Sequence, residues 1–221
     1  MSKEDVTILS SLMDTRFLAG NRSLFEKFEF DFWKCFKSKR FRNAFLERKA
    51  AENKERSDKY GTSIYLLEPN LKEGKGGLRD YHYLHWVTQA VLCTKGLETM
   101  IAANVLTTEE LKTLKEALAF LWSVRNQLHR VAGRRSDQLL LEFQEKVAQA
   151  MGFRDSEKIL ATEDFLRTYY RHAAECSKIT AKGIQKLTKA KRETFRLFSG
   201  PAPKKIDSYF HSDQGKLALL K

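Results

Sequence analysis

The residues best suited to binding chemistry lie in one stretch, from Tyr65 to Asp80, where glycines alternate with basic side chains. The stretch holds three glycines within four residues and three cations among them: Gly74, Gly76, Gly77, Lys72, Lys75 and Arg79. Glycine allows positive φ and brings backbone N–H groups close to a ligand, and such groups ahead of a helix can bind an anion. The spacing matches neither G-x-x-x-x-G-K-[ST] nor G-x-G-x-x-G. The stretch is therefore either an anion-binding loop or a tight structural loop with solvated cations.

A second basic group stands at the end of the clearest predicted helix. Arg125 and His129 are four residues apart, so they share one helix face near the C-terminal end, where partial negative charge favours cations. Arg134 and Arg135 extend the group into the following turn, and Asp137 is an acidic neighbour. The group is either a charge-paired corner, with Arg134 or Arg135 bridging to Asp137 or the next glutamate, or a second anion site. The corner is favoured because opposite charges already lie within reach.

Neither a metal site nor a disulfide is predicted. His82 and His85 are three residues apart, but no third ligand follows at helical spacing, so they are interpreted as surface or packing histidines. The cysteines Cys35, Cys93 and Cys176 are odd in number, widely spaced and without a C-x-x-C motif. This usage is typical of a reducing compartment and predicts a cytoplasmic protein.

Length and charge set the class of partner. The chain has 221 residues, enough for one sizeable core, and 40 basic against 28 acidic side chains give a formal net charge of +12. This charge favours a partner with negative charge, such as a nucleotide, a nucleic acid or an acidic protein surface. No signal peptide and no membrane-spanning apolar run of about 18 residues is recognisable.

Helical periodicity runs through most of the chain and predicts an all-α bundle. Six helices are predicted, over about residues 23–37, 41–59, 80–96, 107–133, 140–151 and 162–198. Thr107 and Glu110 form a capping box, and Gly133 ends the helix that they begin. The remaining predicted N-caps are Asp80, either Ser136 or Asp137, and Thr162.

The two ends of the chain are less regular. The segment from Asp5 to Gly20 is apolar on many faces and fits either a buried strand or a buried helix. Gly200–Pro203 would break the last helix, and apolar residues on either side of Ser212–Gly215 predict a short C-terminal β-hairpin.

An aromatic stripe marks the first long helix. Leu24, Phe28, Phe32 and Phe36 recur every four residues. A stripe at helical spacing more often forms core than a base-stacking platform, so these side chains are predicted to be buried.

Several blocks resemble one family, the bacterial protein-PII uridylyltransferase/uridylyl-removing enzymes. The similar blocks follow the family's order and cover nearly the whole chain: residues 12–20, 67–80, 121–129, 133–137, 142–144 and 163–171. The resemblance implies a nucleotidyltransferase that modifies the nitrogen-regulatory protein PII with UMP from UTP, with Mg²⁺ as cofactor. It also implies a chain that is a fragment: residues 1–22 would end a nucleotidyltransferase head, 23–199 form its helical domain, and 200–221 lead toward a hydrolase.

The resemblance also implies roles for individual residues. Lys72, Lys75 and Arg79, with the N–H groups of Gly76 and Gly77, would face the head and hold the triphosphate or the acceptor protein. Asp14 lies where such heads place a third carboxylate. The Gly-Gly and paired aspartates that bind magnesium in the family are not present before Leu12, and no His-Asp motif marks a hydrolase. The fragment alone is therefore expected to bind no metal and to be inactive.

Two other functions stay open at this point. The same pair of domains occurs in regulatory nucleotidyltransferases that are coupled to nucleotide-sensing domains. A stand-alone nucleic-acid-binding module is suggested by the charge of +12 and by Arg134 and Arg135. Nucleic acid is the less favoured partner, because the aromatic residues fall on core stripes and not among the basic ones.

Overall fold

The computed structural model describes residues 6–199, 204–205, 210–213 and 216–219, and the side chains of residues 6–188. The chain divides into two units, Met1–Ile184 and Gln185–Lys221. Within the described residues no helix is both long and apolar enough to cross a membrane. The domain boundaries expected at residues 22 and 199 stay predictions.

Helices make up the described part of the first unit, which confirms the all-α class. They are α1 Val6–Met13, α2 Arg22–Lys37, α3 Lys39–Tyr60, α4 Leu78–Leu92, α5 Thr99–Ala102, α6 Thr108–Ala132, α7 Leu141–Ala150 and α8 Ala161–Ser199. The described residues thus hold eight helices where about six were predicted. The additional ones are α1, which settles the ambiguous opening as a helix, and the single turn α5.

The second unit contains the end of α8 and three short strands. These are β1 Lys204–Lys205, β2 Phe210–Asp213 and β3 Lys216–Leu219, in the antiparallel order β1-β2-β3. The turn of the expected C-terminal hairpin, residues 214–215, lies outside the described residues. The hairpin therefore stays a prediction.

Aromatic side chains hold α1 to α4 together. Phe32 and Phe36 are buried, and their rings lie 5.4 Å apart. Around them a single cluster is buried: Leu9, Met13, Phe45, Trp86 and Ala90. The buried prediction is thus confirmed for Phe32 and Phe36, whereas Phe28 is half-buried against the same cluster and Leu24 in the first turn is 67% exposed.

The long helices α6 and α8 follow their predicted stripes. The capping box of Thr107 and Glu110 is present, and Gly133 ends α6 in the left-handed conformation. Two sets of side chains are buried: Leu111, Leu114, Leu118, Leu121, Val124 and Leu128 on α6, and Phe165, Tyr169, Ala173, Cys176 and Ile179 on α8. The buried stripes fix α6 and α8 in the core, and the loop before α4 packs against α8.

Three predicted N-caps were wrong. Asp80 is the third residue of α4, whose N-cap is Gly77. The N-cap of α7 is Leu140, not Ser136 or Asp137. Thr162 lies inside α8, because the helix already begins at Ala161. Asp80 and Asp137 have other partners, and these partners build the site described next.

Candidate functional site

The two basic groups picked out in the sequence lie side by side. The N–H of Leu71 donates to the carbonyl of Asp137 at 2.8 Å, and the N–H of Leu139 donates to the carbonyl of Pro69 at 3.0 Å. The buried Gln144 amide donates to the carbonyl of Leu67 at 2.6 Å. We call the combined surface the loop–corner site and define it by Lys72–Arg79 together with Arg125, His129 and Asp137.

The glycines are required for close packing of the loop on α8. Gly76 has φ +75°, and a Cβ there would lie 2.2 Å from the carbonyl oxygen of Ala173. A Cβ on Gly77 would lie 2.8 Å from the carbonyl oxygen of Leu71. Both distances are far below van der Waals contact with backbone that cannot move aside. The glycine pattern therefore has a structural cause independent of any ligand.

The backbone N–H groups of the loop are used within the loop. The N–H of Gly76 donates to Asp80 Oδ2 at 2.8 Å, and the N–H of Gly77 donates to the carbonyl of Gly74 at 3.0 Å. The side chain of Asn70 accepts two more, from the N–H groups of residues 72 and 73. The geometry thus departs from the expected cradle, in which the Gly76 and Gly77 amides would point at a phosphate.

A buried ion pair fastens the loop to α3. The Arg56 guanidinium pairs with Asp80 Oδ1, and the two side chains are only 11% and 12% exposed. Arg56 also donates to the carbonyl of Glu73 at 2.7 Å and to Asn53 Oδ1 at 2.7 Å. Sequence analysis missed Arg56, because one arginine in a strongly charged helix carries no distinguishing pattern.

The three loop cations are not equivalent. Arg79 donates twice to the Glu73 carboxylate, at 3.1 and 3.3 Å, and Lys72 Nζ lies 3.4 Å from the same group. Burial would raise the pKa of Glu73, but Arg79 and Lys72 outweigh it, so that the pKa is lowered and Glu73 stays charged. Within the described residues, Lys75 forms no ion pair or hydrogen bond. Lys75 is therefore the loop cation that remains available to a ligand.

The corner is formed by other residues than expected. Arg125 Nε donates to Asp137 Oδ1 at 2.6 Å, and His129 Nε2 lies 3.5 Å from the same oxygen. Arg134 and Arg135, one of which was expected to bridge to Asp137 or Glu142, are exposed instead. Burial opposes ionisation of Asp137, but the bond from Arg125 and the nearby charges of Arg125 and Lys72 give a net lowering of its pKa. Asp137 thus connects the corner electrostatically with the loop.

We expect Arg125→Ala to lower the free energy of unfolding by about 1–2 kcal/mol, because it removes a charged hydrogen bond to a partly buried carboxylate. Arg134→Ala is the matched control and should change it by less than about 0.5 kcal/mol. Since the folded pKa of Asp137 is lowered, its contribution is complete at neutral pH and is lost as the pH falls below about 3.9. Urea unfolding at pH 7 and pH 3 measures both effects, and equal losses for the two variants would argue against the corner.

Asp14 lies in a separate cluster at the end of α1. Its Oδ1 is 3.0 Å from His85 Nε2, and its Oδ2 accepts a bond from Trp86 Nε1 at 2.9 Å. Burial would raise the pKa of Asp14, but the bonds from His85 and Trp86 outweigh it and lower the pKa. The ammonium group of Lys49 lies 4.1 Å from the centre of the Trp86 ring, and the Arg79 guanidinium 5.6 Å. Trp86, which sequence analysis did not single out, thus joins Asp14 to the loop.

The histidines of α4 pack against aromatic rings. The ring of His82 stacks on Trp86 with centroids 5.5 Å apart, and His85 stacks on Tyr81 at 5.6 Å. Burial, followed by the nearby charge of Arg79, lowers the pKa of His82 to about 4, so it is neutral at pH 7. Among the described residues no three His, Cys, Asp or Glu side chains are grouped as metal ligands.

The profile of a family described as GlnD PII-uridylyltransferase matches residues 44–184, which include α4, α6, α7 and the whole loop–corner site. No solved structure matches the chain.

Bifunctional uridylyltransferase/uridylyl-removing enzymes are similar over most of the chain. The enzyme of Cereibacter sphaeroides is 37% identical over 81% of this chain, and that of Novosphingobium aromaticivorans 32% over 99%. The enzyme of Methylococcus capsulatus is 34% identical over 88%. These alignments cover only 19%, 24% and 21% of the relatives, so the chain spans about a fifth to a quarter of their length. With a family profile over most of its helices and relatives of this similarity, the chain belongs to the PII-uridylyltransferase family.

Proposed function

We propose that this chain is the helical module of a bifunctional uridylyltransferase/uridylyl-removing enzyme, in which UMP is transferred from UTP to the PII protein. Support comes from the family membership and from the activity for which the relatives are named. In this proposal the module contributes a binding surface, and the reacting groups belong to a nucleotidyltransferase head and a hydrolase in the same polypeptide. Residues 200–221 would form the hairpin that leads toward the hydrolase.

The loop–corner site would contact the triphosphate of the nucleotide. The observation that supports this most is that Lys75 has no ion-pair or hydrogen-bond partner among the described residues. The other two loop cations, Lys72 and Arg79, both pair with Glu73. Lys72 lies close by and shares Glu73 with Arg79, so it would add positive charge at the same surface. The ammonium group of a lysine binds phosphate well, even where the backbone N–H groups nearby are already hydrogen-bonded within the protein.

Magnesium, the expected cofactor of the transfer, does not fit the described residues. Mg²⁺ takes oxygen ligands in an octahedral arrangement, usually one or two protein carboxylates together with waters and substrate phosphates. Asp14 is the carboxylate that the resemblance singled out, but one of its oxygens accepts the Trp86 N–H and the other lies against His85. The role of Asp14 in this proposal is to fix the end of α1 onto α4, and the metal ligands would come from elsewhere in the enzyme.

The test is steady-state kinetics of a full-length family member that carries these residues. We expect Lys75→Ala to raise KM for UTP about tenfold, which corresponds to about 1.4 kcal/mol, with KM for PII unchanged. Lys112→Ala, which removes an exposed lysine of α6 outside the loop–corner site, is the matched control. A rise in KM for PII alone would assign the site to the acceptor protein, and unchanged values for Lys72, Lys75 and Arg79 variants would leave it a scaffold.

A further inference from the structure

Glu73 lies among the cations of the loop–corner site, and its carboxylate pairs with two of them. Arg79 Nε and Nη2 donate to the two carboxylate oxygens at 3.3 and 3.1 Å, and Lys72 Nζ lies 3.4 Å from Oε1. A guanidinium group that binds a carboxylate through two N–H bonds presents the same pair of donors to a phosphate. The Glu73 carboxylate therefore occupies a position between Lys72 and Arg79 that suits a phosphate group.

The backbone of Glu73 is fixed, whereas its side chain reaches the surface. The N–H of Glu73 donates to Asn70 Oδ1 at 2.7 Å, and its carbonyl accepts a bond from Arg56 at 2.7 Å. The side chain is 18% exposed, so the carboxylate is not sealed off from solvent. Rotation about the side-chain bonds alone can thus carry the carboxylate away from the two cations, without moving the loop.

The two cations have supports that do not depend on Glu73. The Arg79 guanidinium lies 5.6 Å from the centre of the buried Trp86 ring, within the range of a cation–π contact. The N–H of Lys72 donates to Asn70 Oδ1 at 3.1 Å, and the Lys72 carbonyl accepts the N–H of Arg79 at 2.9 Å. Both residues therefore stay in place beside Lys75 when the carboxylate leaves, and they can receive another anion there.

We propose that Glu73 is an internal competitor of the nucleotide: its carboxylate takes the place of one phosphate group between Lys72 and Arg79 and is displaced when the triphosphate binds. The inference rests on the proposed function, which assigns the triphosphate to the loop–corner site. Displacement exchanges one anion for another, so neither cation is left without a counter-charge. A triphosphate carries several negative charges and can replace a single carboxylate, whereas a ligand without phosphate cannot.

The test is the dissociation constant of UTP for a full-length family member that carries these residues, at fixed ionic strength and without PII. Glu73→Gln keeps the shape of the side chain and removes the competing charge, so UTP should bind at least about threefold more tightly. Uridine, which has no phosphate, should bind both proteins equally. Glu52→Gln is the matched control, because Glu52 lies close to Arg79 but pairs with Lys49, and it should change the UTP constant by less than about 1.5-fold. Equal tightening of uridine, or of UTP in Glu52→Gln, would overturn the proposal.

Glu73→Asp is the second variant, and it decides the question if Glu73→Gln does not fold. It keeps the charge but is one methylene shorter and competes less well, so UTP should bind more tightly than to the native protein, by a smaller factor. A purely structural role of Glu73 predicts the opposite sign. UTP affinity equal to or below the native value in a folded variant therefore refutes the displacement. If Lys75→Ala still weakens UTP, the proposed nucleotide contact stands without it, and if Lys75→Ala has no effect either, both fail.

Discussion

Gly76→Ala should be among the most damaging single substitutions in the chain. A methyl group there would lie 2.2 Å from the carbonyl oxygen of Ala173, and the residue would also have to keep φ +75°. Strain of both kinds predicts a loss of at least about 3 kcal/mol in the free energy of unfolding. For a chain of this size the loss corresponds to a fall of about 6–12 °C in Tm.

Gly133→Ala is the matched control for this prediction. Gly133 also has positive φ, +65°, but nothing lies within 4 Å of the position that a Cβ would take. Only the left-handed conformation is penalised there, at about 1 kcal/mol. Calorimetry of the two variants therefore separates close packing from backbone conformation. Similar Tm values would show that the loop does not pack on α8 as described.

Asp80→Asn should cost about 3–5 kcal/mol, because it leaves the Arg56 guanidinium buried without a counter-charge. The loss is large for an isosteric change, since Asp80 also accepts the N–H of Gly76 and so supports the loop directly. Chemical denaturation measures it. The double variant Arg56→Met/Asp80→Asn should recover part of the loss, because it removes the unpaired charge as well.

The control for Asp80 is an ion pair on the surface. Glu26 pairs with Arg22 at 3.0 Å, but the side chains are 62% and 76% exposed. Glu26→Gln should therefore change the free energy of unfolding by less than about 0.5 kcal/mol. If Asp80→Asn were equally mild, the Arg56–Asp80 pair could not be what fastens the loop to α3.

Sequence reasoning succeeded where one local pattern determines the structure. The stripes of α6 and α8 and the Thr107 capping box depend on residues three or four apart, and the structure confirms them. The predicted caps at Asp80 and Asp137 were wrong because each carboxylate has a distant partner. Asp80 pairs with Arg56, 24 residues away, and Asp137 with Arg125, 12 residues away.

In the candidate site, too, local patterns were predicted correctly and contacts between distant residues were not. Its basic residues were identified from composition, but their roles depend on tertiary neighbours that no local spacing reveals. Arg79 and Lys72 share the single negative charge of Glu73, and only the folded chain shows that Lys75 has no partner among the described residues. The packing of Gly76 on Ala173 likewise joins residues almost a hundred positions apart.

Lys75 is the residue on which the proposed nucleotide contact depends most. Its most direct test is the dissociation constant of UTP for a full-length family member, measured at equilibrium without PII, so that the acceptor protein cannot contribute. Lys75→Ala should weaken UTP about tenfold, and Lys75→Arg, which keeps the charge, should weaken it less. An unchanged dissociation constant in Lys75→Ala would contradict the proposal that this loop holds the nucleotide.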